Sequence, residues 1–227
     1  MEYSNLIVEV TRNCQFQCQH CLRGDRENLN ISTDIIDTLL EDTEYISMLT
    51  FSGGEPSLAT NLISYFLDIC IENNIEVGSF YIATNGANIS VDFIVTMLRW
   101  YSYCIEKEMC FIEVSNDIYH SEEGNYDTVL LEALSFFNRK HTEENYNYDN
   151  GKYLLDEGYT NENGIGSGRA VTVSPVTTKD DFYEADIYLN AEGNIINGCD
   201  WSYENQNEHI LCNVKDVKQF YENLIGD

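Results

Sequence analysis

The feature that most restricts what this chain can fold into is an alternation of short β-rich runs with segments of helical period. It runs through the first 140 of its 227 residues. Leu6–Val10 reads as a strand. Ile35, Ile36, Leu39 and Leu40 then recur at helical spacing behind the possible caps Ser32 and Thr33. Met48–Phe51 is a second strand, ended by Gly53-Gly54, and Leu62, Ile63, Phe66, Leu67 and Cys70 mark a second helix. Phe80–Ala83 lies in a third strand, ended by Asn85-Gly86. A helix capped by Ser90 follows, carrying Ile94, Met97, Leu98 and Tyr101. Cys110–Val114 is a fourth strand, before a helix through Val129, Leu130, Ala133, Leu134 and Phe137. Repeated βα units predict an α/β fold, a parallel sheet covered by helices. Right-handed crossovers bring every strand-to-helix loop to one edge of such a sheet, the edge where ligands bind.

Beyond residue 140 the pattern weakens. Residues 141–168 are polar and read as a long loop around one short strand, Tyr153–Leu155, with Ala170–Val173 as a further strand. Asp186–Asn190 and Asn194–Asn197, parted by Ala191-Glu192-Gly193, read as a β-hairpin. Val214, Val217, Tyr221 and Leu224 suggest a closing helix. The expected organisation is a core over residues 1–175 and a short extension over 176–227.

The loop after the first strand holds Cys14, Cys18 and Cys21 in C-x3-C-x2-C spacing. Three thiolates on one tight loop can hold three corners of an iron–sulfur cube and leave the fourth iron open. Zinc is the chemical rival, since Cys3His sites are common and His20 is adjacent. Disulfides are a poorer reading, because these three cysteines crowd into eight residues. Of the rest, Cys70 and Cys110 read as core and Cys104 has no assignment.

Three later loops belong to the same sheet edge. Gly53-Gly54-Glu55-Pro56 is either a plain strand-ending turn or a place where backbone approaches a ligand closely. Thr84-Asn85-Gly86 is a common turn type and equally a ligand contact. Ser115 and Asn116 can hydrogen-bond vicinal hydroxyls, with Asp117 and His120 just beyond. Arg169, in Gly168-Arg169-Ala170, is either a surface ion-pair residue or a clamp for a carboxylate.

C-x3-C-x2-C after a first strand, Gly-Gly-Glu-Pro after a second and Thr-Asn-Gly after a third resemble the radical SAM superfamily, over about residues 5–120 and more loosely to 170. The resemblance implies a partial (β/α)6 barrel. It also implies a [4Fe–4S] cluster on Cys14, Cys18 and Cys21, with S-adenosylmethionine (SAM) at the open iron. Reductive cleavage would then yield a 5′-deoxyadenosyl radical that abstracts hydrogen from a substrate. His20 stands where the family usually has Tyr or Phe against the adenine. Gly53, Gly54 and Glu55 would meet the SAM amino group, Thr84, Asn85, Ser115 and Asn116 would lie near SAM, and Arg169 would meet its carboxylate. Residues 187–214 are similar to the start of a SPASM or twitch extension, but only Cys199 and Cys212 remain there, too few for an auxiliary cluster. The Gly-Arg-Ala segment and the hairpin lean towards a peptide or protein substrate. The small size suits a small-molecule substrate, as in deazaguanine-forming members. A non-catalytic iron–sulfur or zinc protein is the other alternative. An electron donor such as a flavodoxin or ferredoxin is implied.

Charge narrows the partners. Twelve Lys and Arg stand against 39 Asp and Glu, a net charge of −27. Such a surface repels phosphate backbones and anionic membranes, so neither nucleic acid nor membrane is expected. Four of the twelve basic residues, Arg12, Arg23, Arg26 and Arg169, fall near the proposed site and suggest a locally positive mouth. The N-terminus lacks the pattern of a signal peptide and no run is long enough to span a membrane, so the expected location is the cytoplasm.

Overall fold

The computed structural model describes residues 1–87, 89–115, 119–120, 126–137, 154–173, 178–179 and 182–225. Its centre is one mixed sheet in the order β4-β3-β2-β1-β6-β7-β8, with β5 paired to β6. Strands β1 (Glu2–Thr11), β2 (Tyr45–Gly53), β3 (Glu76–Thr84) and β4 (Phe111–Val114) are parallel, and β6 (Phe182–Leu189) joins β1 in parallel on its other side. The short β5 (Thr178–Lys179), β7 (Asn194–Asn197) and β8 (Ile210–Asn213) pair antiparallel. The fold is therefore α/β, with a parallel sheet that helices cover on one side, as a partial barrel requires.

Several helices start at side-chain caps. Ser32 accepts from the Ile35 amide at 3.3 Å at the head of α1 (Thr33–Leu40), and Ser90 accepts from Phe93 at 3.1 Å to open α3 (Val91–Tyr103), both as the sequence predicts. Asp127 accepts from Val129 and Leu130 to open α4 (Thr128–Leu134). Helix α2 (Thr60–Asn73) stops at Asn74, whose φ of 56° turns the chain left-handed. The first two helices bury residues of the stripe that their periodicity marks, Ile36, Leu39 and Leu40 in one and Ile63, Phe66 and Cys70 in the other. The third is turned from its expected face: Phe93, Met97 and Trp100 are buried, whereas Leu98 is exposed and Ile94 and Tyr101 are only partly buried. All three pack on the strand residues that alternate outward, among them Leu6, Val8, Leu49, Phe80, Ile82 and Ile112. The Trp100 indole satisfies its N–H on the Ile63 carbonyl at 3.1 Å.

Past residue 140 the structure departs from the sequence reading. The expected strand Tyr153–Leu155 amounts, in its described part, to a single parallel bridge between Leu155 and Arg169. Ala170–Val173 forms no strand. A five-residue helix, α5 (Gly158–Glu162), sits inside the segment read as loop. Its stabilisation is a reciprocal cap between Glu157 and Thr160, which carries no apolar periodicity. The expected hairpin is β6–β7, and the closing helix is α6 (Val217–Ile225). The boundary drawn at 175/176 precedes strands that extend the same sheet.

The junction between β1 and this C-terminal segment is held by a buried carboxylate. Glu9 is fully buried on β1. It accepts from Arg12 Nε at 2.7 Å, Tyr188 Oη at 2.6 Å, Gln206 Nε2 at 2.9 Å and the Ala191 amide at 3.1 Å. Burial alone opposes its charge. The arginines Arg23 and Arg12 and the Tyr188 hydroxyl outweigh that and hold its pKa below the ordinary 4.5.

Removing one member of such a network strands the others in low dielectric. Glu9→Ala is expected to cost about 3–5 kcal/mol of unfolding free energy, read from urea titrations. Because the folded carboxyl titrates below 4.5, its stabilisation is complete above that pH and drains away as pH falls through the folded value. The stability gap between wild type and Glu9→Gln is therefore expected to narrow from pH 7 to pH 3; a constant gap would refute the assignment.

Candidate active site

A cavity of about 420 Å³ opens at the C-terminal ends of the parallel strands. Cys14, Cys18 and Cys21 line it, on the loop leaving β1. All eight cysteines of the chain are free thiols, and these three are partly buried. The loop closes on itself where the Cys21 amide donates to the Cys18 carbonyl at 3.0 Å. The Phe16 amide and the Asn85 side chain approach Cys14 Sγ at 3.4 and 3.8 Å. Burial, and then the Glu55 and Cys21 charges, push the Cys14 thiol up to about 11 against the pull of the Phe16 amide. A bound metal reverses that balance by taking the thiolate directly. Among the described residues no three His, Cys, Asp or Glu side chains are grouped closely enough to share a single metal ion.

The Gly-Gly-Glu-Pro loop reaches the cavity for a steric reason. A Cβ on Gly53 would sit 2.0 Å from the Thr11 carbonyl oxygen, and one on Gly54 would sit 2.4 Å from that of Asn13. Only glycines let β2 run this close to the cysteine loop, where Gly54 and Glu55 donate their amides to Thr11 and Asn13. The Glu55 carboxylate is buried, but its contacts are to protein. It accepts from Thr84 Oγ1 at 2.6 Å, the Asn85 amide at 2.8 Å and the Ser57 amide at 3.0 Å. It is thus a strut fixing the β3 loop to the β2 loop. Asn85 in turn accepts from Gln15 at 2.8 Å, which returns the brace to the cysteine loop.

The remaining expected residues divide. His20, Ser115 and His120 line the cavity. His20 stacks on Tyr119 with centroids 4.5 Å apart and meets His120 edge-on at 4.7 Å. The Ser115 amide donates to the Thr84 carbonyl at 2.8 Å. Asn116 and Asp117 lie outside the described residues. Arg169 is exposed and absent from the lining; its carbonyl accepts from the Asp156 amide. Arg12, Arg23 and Arg26 do line the cavity. Arg12, however, spends its charge on Glu9, Glu27 and Glu192, and Arg23 reaches the Trp201 carbonyl at 2.6 Å.

Sequence reasoning missed the clamp formed by residues 157–160. The Tyr159 amide donates to the Cys21 carbonyl at 2.9 Å, and Gly158 lies against the Leu22 carbonyl so closely that a Cβ would come within 2.4 Å. Glu157 accepts from the Ser202 amide and from Asn205, tying the cysteine loop to the C-terminal segment. Only the Asp-Glu-Gly sequence hinted at this turn. Cys199 and Cys212 do not converge. Cys212 pairs with Ile195 and packs with the helical core, whereas Cys199 joins Ile7, Tyr188 and Ile196 on the other face. Cys70, Cys104 and Cys110 are buried core.

No protein-family model matches the chain. An uncharacterized protein of Methanocaldococcus jannaschii is 33% identical over 91 residues, which are 38% of this chain. The match takes in 32%, about a third, of that relative's length. Among solved structures, histidine-tagged anSMEcpe with bound AdoMet is 13% identical with a TM-score of 0.49, over 97% of this chain and 80% of that one. Streptococcus suis SuiB bound to precursor peptide SuiA is 18% identical with a TM-score of 0.35, over 48% and 23%.

Burial drives the Glu55 pKa above the ordinary 4.5, and its three donors only partly restore it. A carboxyl raised on folding makes the protein less stable as pH climbs from 4.5 towards the folded value. Glu55→Gln removes that dependence. The difference in unfolding free energy between variant and wild type is expected to move in favour of the variant from pH 4 to pH 7; a flat difference would contradict the buried carboxylate.

Proposed function

We propose that this chain is a radical SAM enzyme. The observation that carries the reading is convergence. Three free thiols in C-x3-C-x2-C spacing, a glycine pair forced against their loop, the Thr84–Asn85 turn and Ser115 meet around one cavity at the sheet edge. The donor set suits a [4Fe–4S] cluster with one iron open, since three thiolates share one short loop and, among the described residues, no fourth cysteine lines the cavity. When bound, the cluster would supply the electron that cleaves SAM to a 5′-deoxyadenosyl radical for hydrogen abstraction.

The protein's own part is to bind and orient. Cys14, Cys18 and Cys21 would hold the cluster. Gly53 and Gly54, which line the cavity, would present their backbone to the SAM amino acid moiety, while Glu55 acts one step back by setting Thr84 and Asn85. His20, stacked on Tyr119 and set edge-on to His120, would offer an aromatic ring to the adenine. Ser115 offers a hydroxyl to the ribose. The aromatic wall of Phe16, His20 and His120 keeps water from the reacting centre. Arg169, exposed beside the 154–156 segment, would need to swing inward to meet the SAM carboxylate. The substrate is a peptide or a small molecule, and a flavodoxin- or ferredoxin-type donor would supply electrons. Among the described residues no helix is long and apolar enough to cross a membrane. Eight free thiols suit the reducing cytoplasm.

Anaerobic reconstitution with iron and sulfide, then dithionite and SAM, tests this. About four irons per chain and formation of 5′-deoxyadenosine are expected, with Cys18→Ala losing both. A colourless protein that retains stoichiometric zinc, or a brown reduced sample that leaves SAM intact, would sink the reading.

A further inference from the structure

The inner face of the sheet, opposite the helices, carries an unequal pair of carboxylates. On β4, Ile112 and Val114 pack into the helical core, so Phe111, Glu113 and Ser115 share the other face. Strand register sets two rows across that face. Ile7, Thr50, Tyr81 and Phe111 are paired in one. In the next, Glu9 pairs with Ser52 and Ala83 pairs with Glu113, Ser52 and Ala83 being the residues that follow the paired Phe51 and Ile82. Two small side chains, both lining the cavity, thus separate two glutamates.

The two glutamates differ in what neutralises them. Glu9 is sealed from solvent and has two arginines. Glu113 is half-buried, and its contact is the Tyr81 hydroxyl, which donates to Oε2 at 2.7 Å. Among the described residues no Lys, Arg or His forms an ion pair with it. Tyr81 is itself fixed, stacked on Phe111 at 5.3 Å, and it lines the cavity as do Ala83 and Ser115 on either side of Glu113. A carboxylate has about four lone-pair sites, and one phenol occupies one of them. Glu113 is not itself among the residues that line the cavity; it stands at the cavity's β4 edge, held by Tyr81, while the arginines line the cysteine end.

We propose that Glu113, oriented by Tyr81, binds a cationic group of the substrate, an ammonium or guanidinium, against the floor made by Ser52 and Ala83. This rests on the radical SAM reading for what the bound substrate then undergoes, but not for the binding itself. A charge-assisted hydrogen bond at a half-buried carboxylate discriminates charge from its neutral isostere better than one in open water.

The test is calorimetric titration of the anaerobically reconstituted protein, with SAM present, using two matched pairs of probes. One is an amidated Gly-Lys-Gly peptide against its norleucine counterpart; the other is 1-pentylamine against 1-pentanol. The cationic member of at least one pair is expected to bind about tenfold tighter. The winning pair tells whether the cation comes from a peptide or a small molecule. Glu113→Gln is expected to abolish the preference and Tyr81→Phe to reduce it, with both melting temperatures at the wild-type value to show intact folds. Equal binding within both pairs, or a preference that survives Glu113→Gln, overturns the proposal. So does a tenfold loss of SAM affinity in Glu113→Gln, which would assign the carboxylate to SAM instead. Formation of 5′-deoxyadenosine in the same samples reports separately on the radical SAM reading. Turnover without cation preference removes only the Glu113 site, and cation preference without turnover removes only the reaction.

Discussion

The buried carboxylate of Glu9 is the interaction on which the rest of the architecture depends. It sits at the middle of the sheet, where β1 has β2 on one side and β6 on the other. A lone charge there would be costly, and the chain satisfies it from three directions: Arg12 at the start of the cysteine loop, Tyr188 on β6, and Gln206 in the C-terminal 3-10 turn. The same guanidinium of Arg12 also reaches Glu27 and Gln206. One ionic knot therefore fixes the cysteine loop, the hairpin strand and the C-terminal segment relative to one another. Buried ion pairs are weak contributors to net stability but costly to break singly. That asymmetry makes this one a device for geometry rather than for stability.

From that knot the site is assembled by backbone approach. Two glycines let the end of β2 lie against the cysteine loop, and Glu55 and Asn85 pass the constraint on to the β3 loop. The clamp at 157–160 closes the other side of the loop. Three thiols spaced along a flexible loop would otherwise sample many arrangements. Here their loop is hydrogen-bonded to three separate parts of the chain. A cofactor site gains affinity and precision from such pre-organisation, since the ordering entropy has already been spent in folding.

Charge is distributed with a purpose that the net value hides. The surface excess of Asp and Glu coexists with a cavity where three arginines stand at the cysteine end. Arg12 is largely neutralised in place, so the positive mouth suggested by counting basic residues is less positive than the count implies. Arg169 faces solvent. The cavity thus has arginines at its cysteine end, and the carboxylate of Glu113 lies beside its β4 edge.

The βα alternation, the helix caps at Ser32 and Ser90, the core stripes of the first two helices and the gathering of strand-end loops were legible because each rests on local periodicity or on a rule of connection. The cysteine triplet was legible because its members are close in sequence. The short α5 was not, because five residues held by a Glu157–Thr160 cap leave no apolar repeat. Nor was the insertion of β6 beside β1, because strand pairing between residues about 180 apart leaves no trace in either segment. The roles of Glu9, Glu55 and Glu113 are alike in this. By sequence they are three glutamates among 39 acidic residues. By itself the sequence determined the class of fold, the spacing of three cysteines on one loop and the edge of the sheet where they sit. Only tertiary structure decided which carboxylate is an ion-pair anchor, which a strut and which is held at the β4 edge by a tyrosine hydroxyl, because burial and partners, not residue type, set what a charge can do.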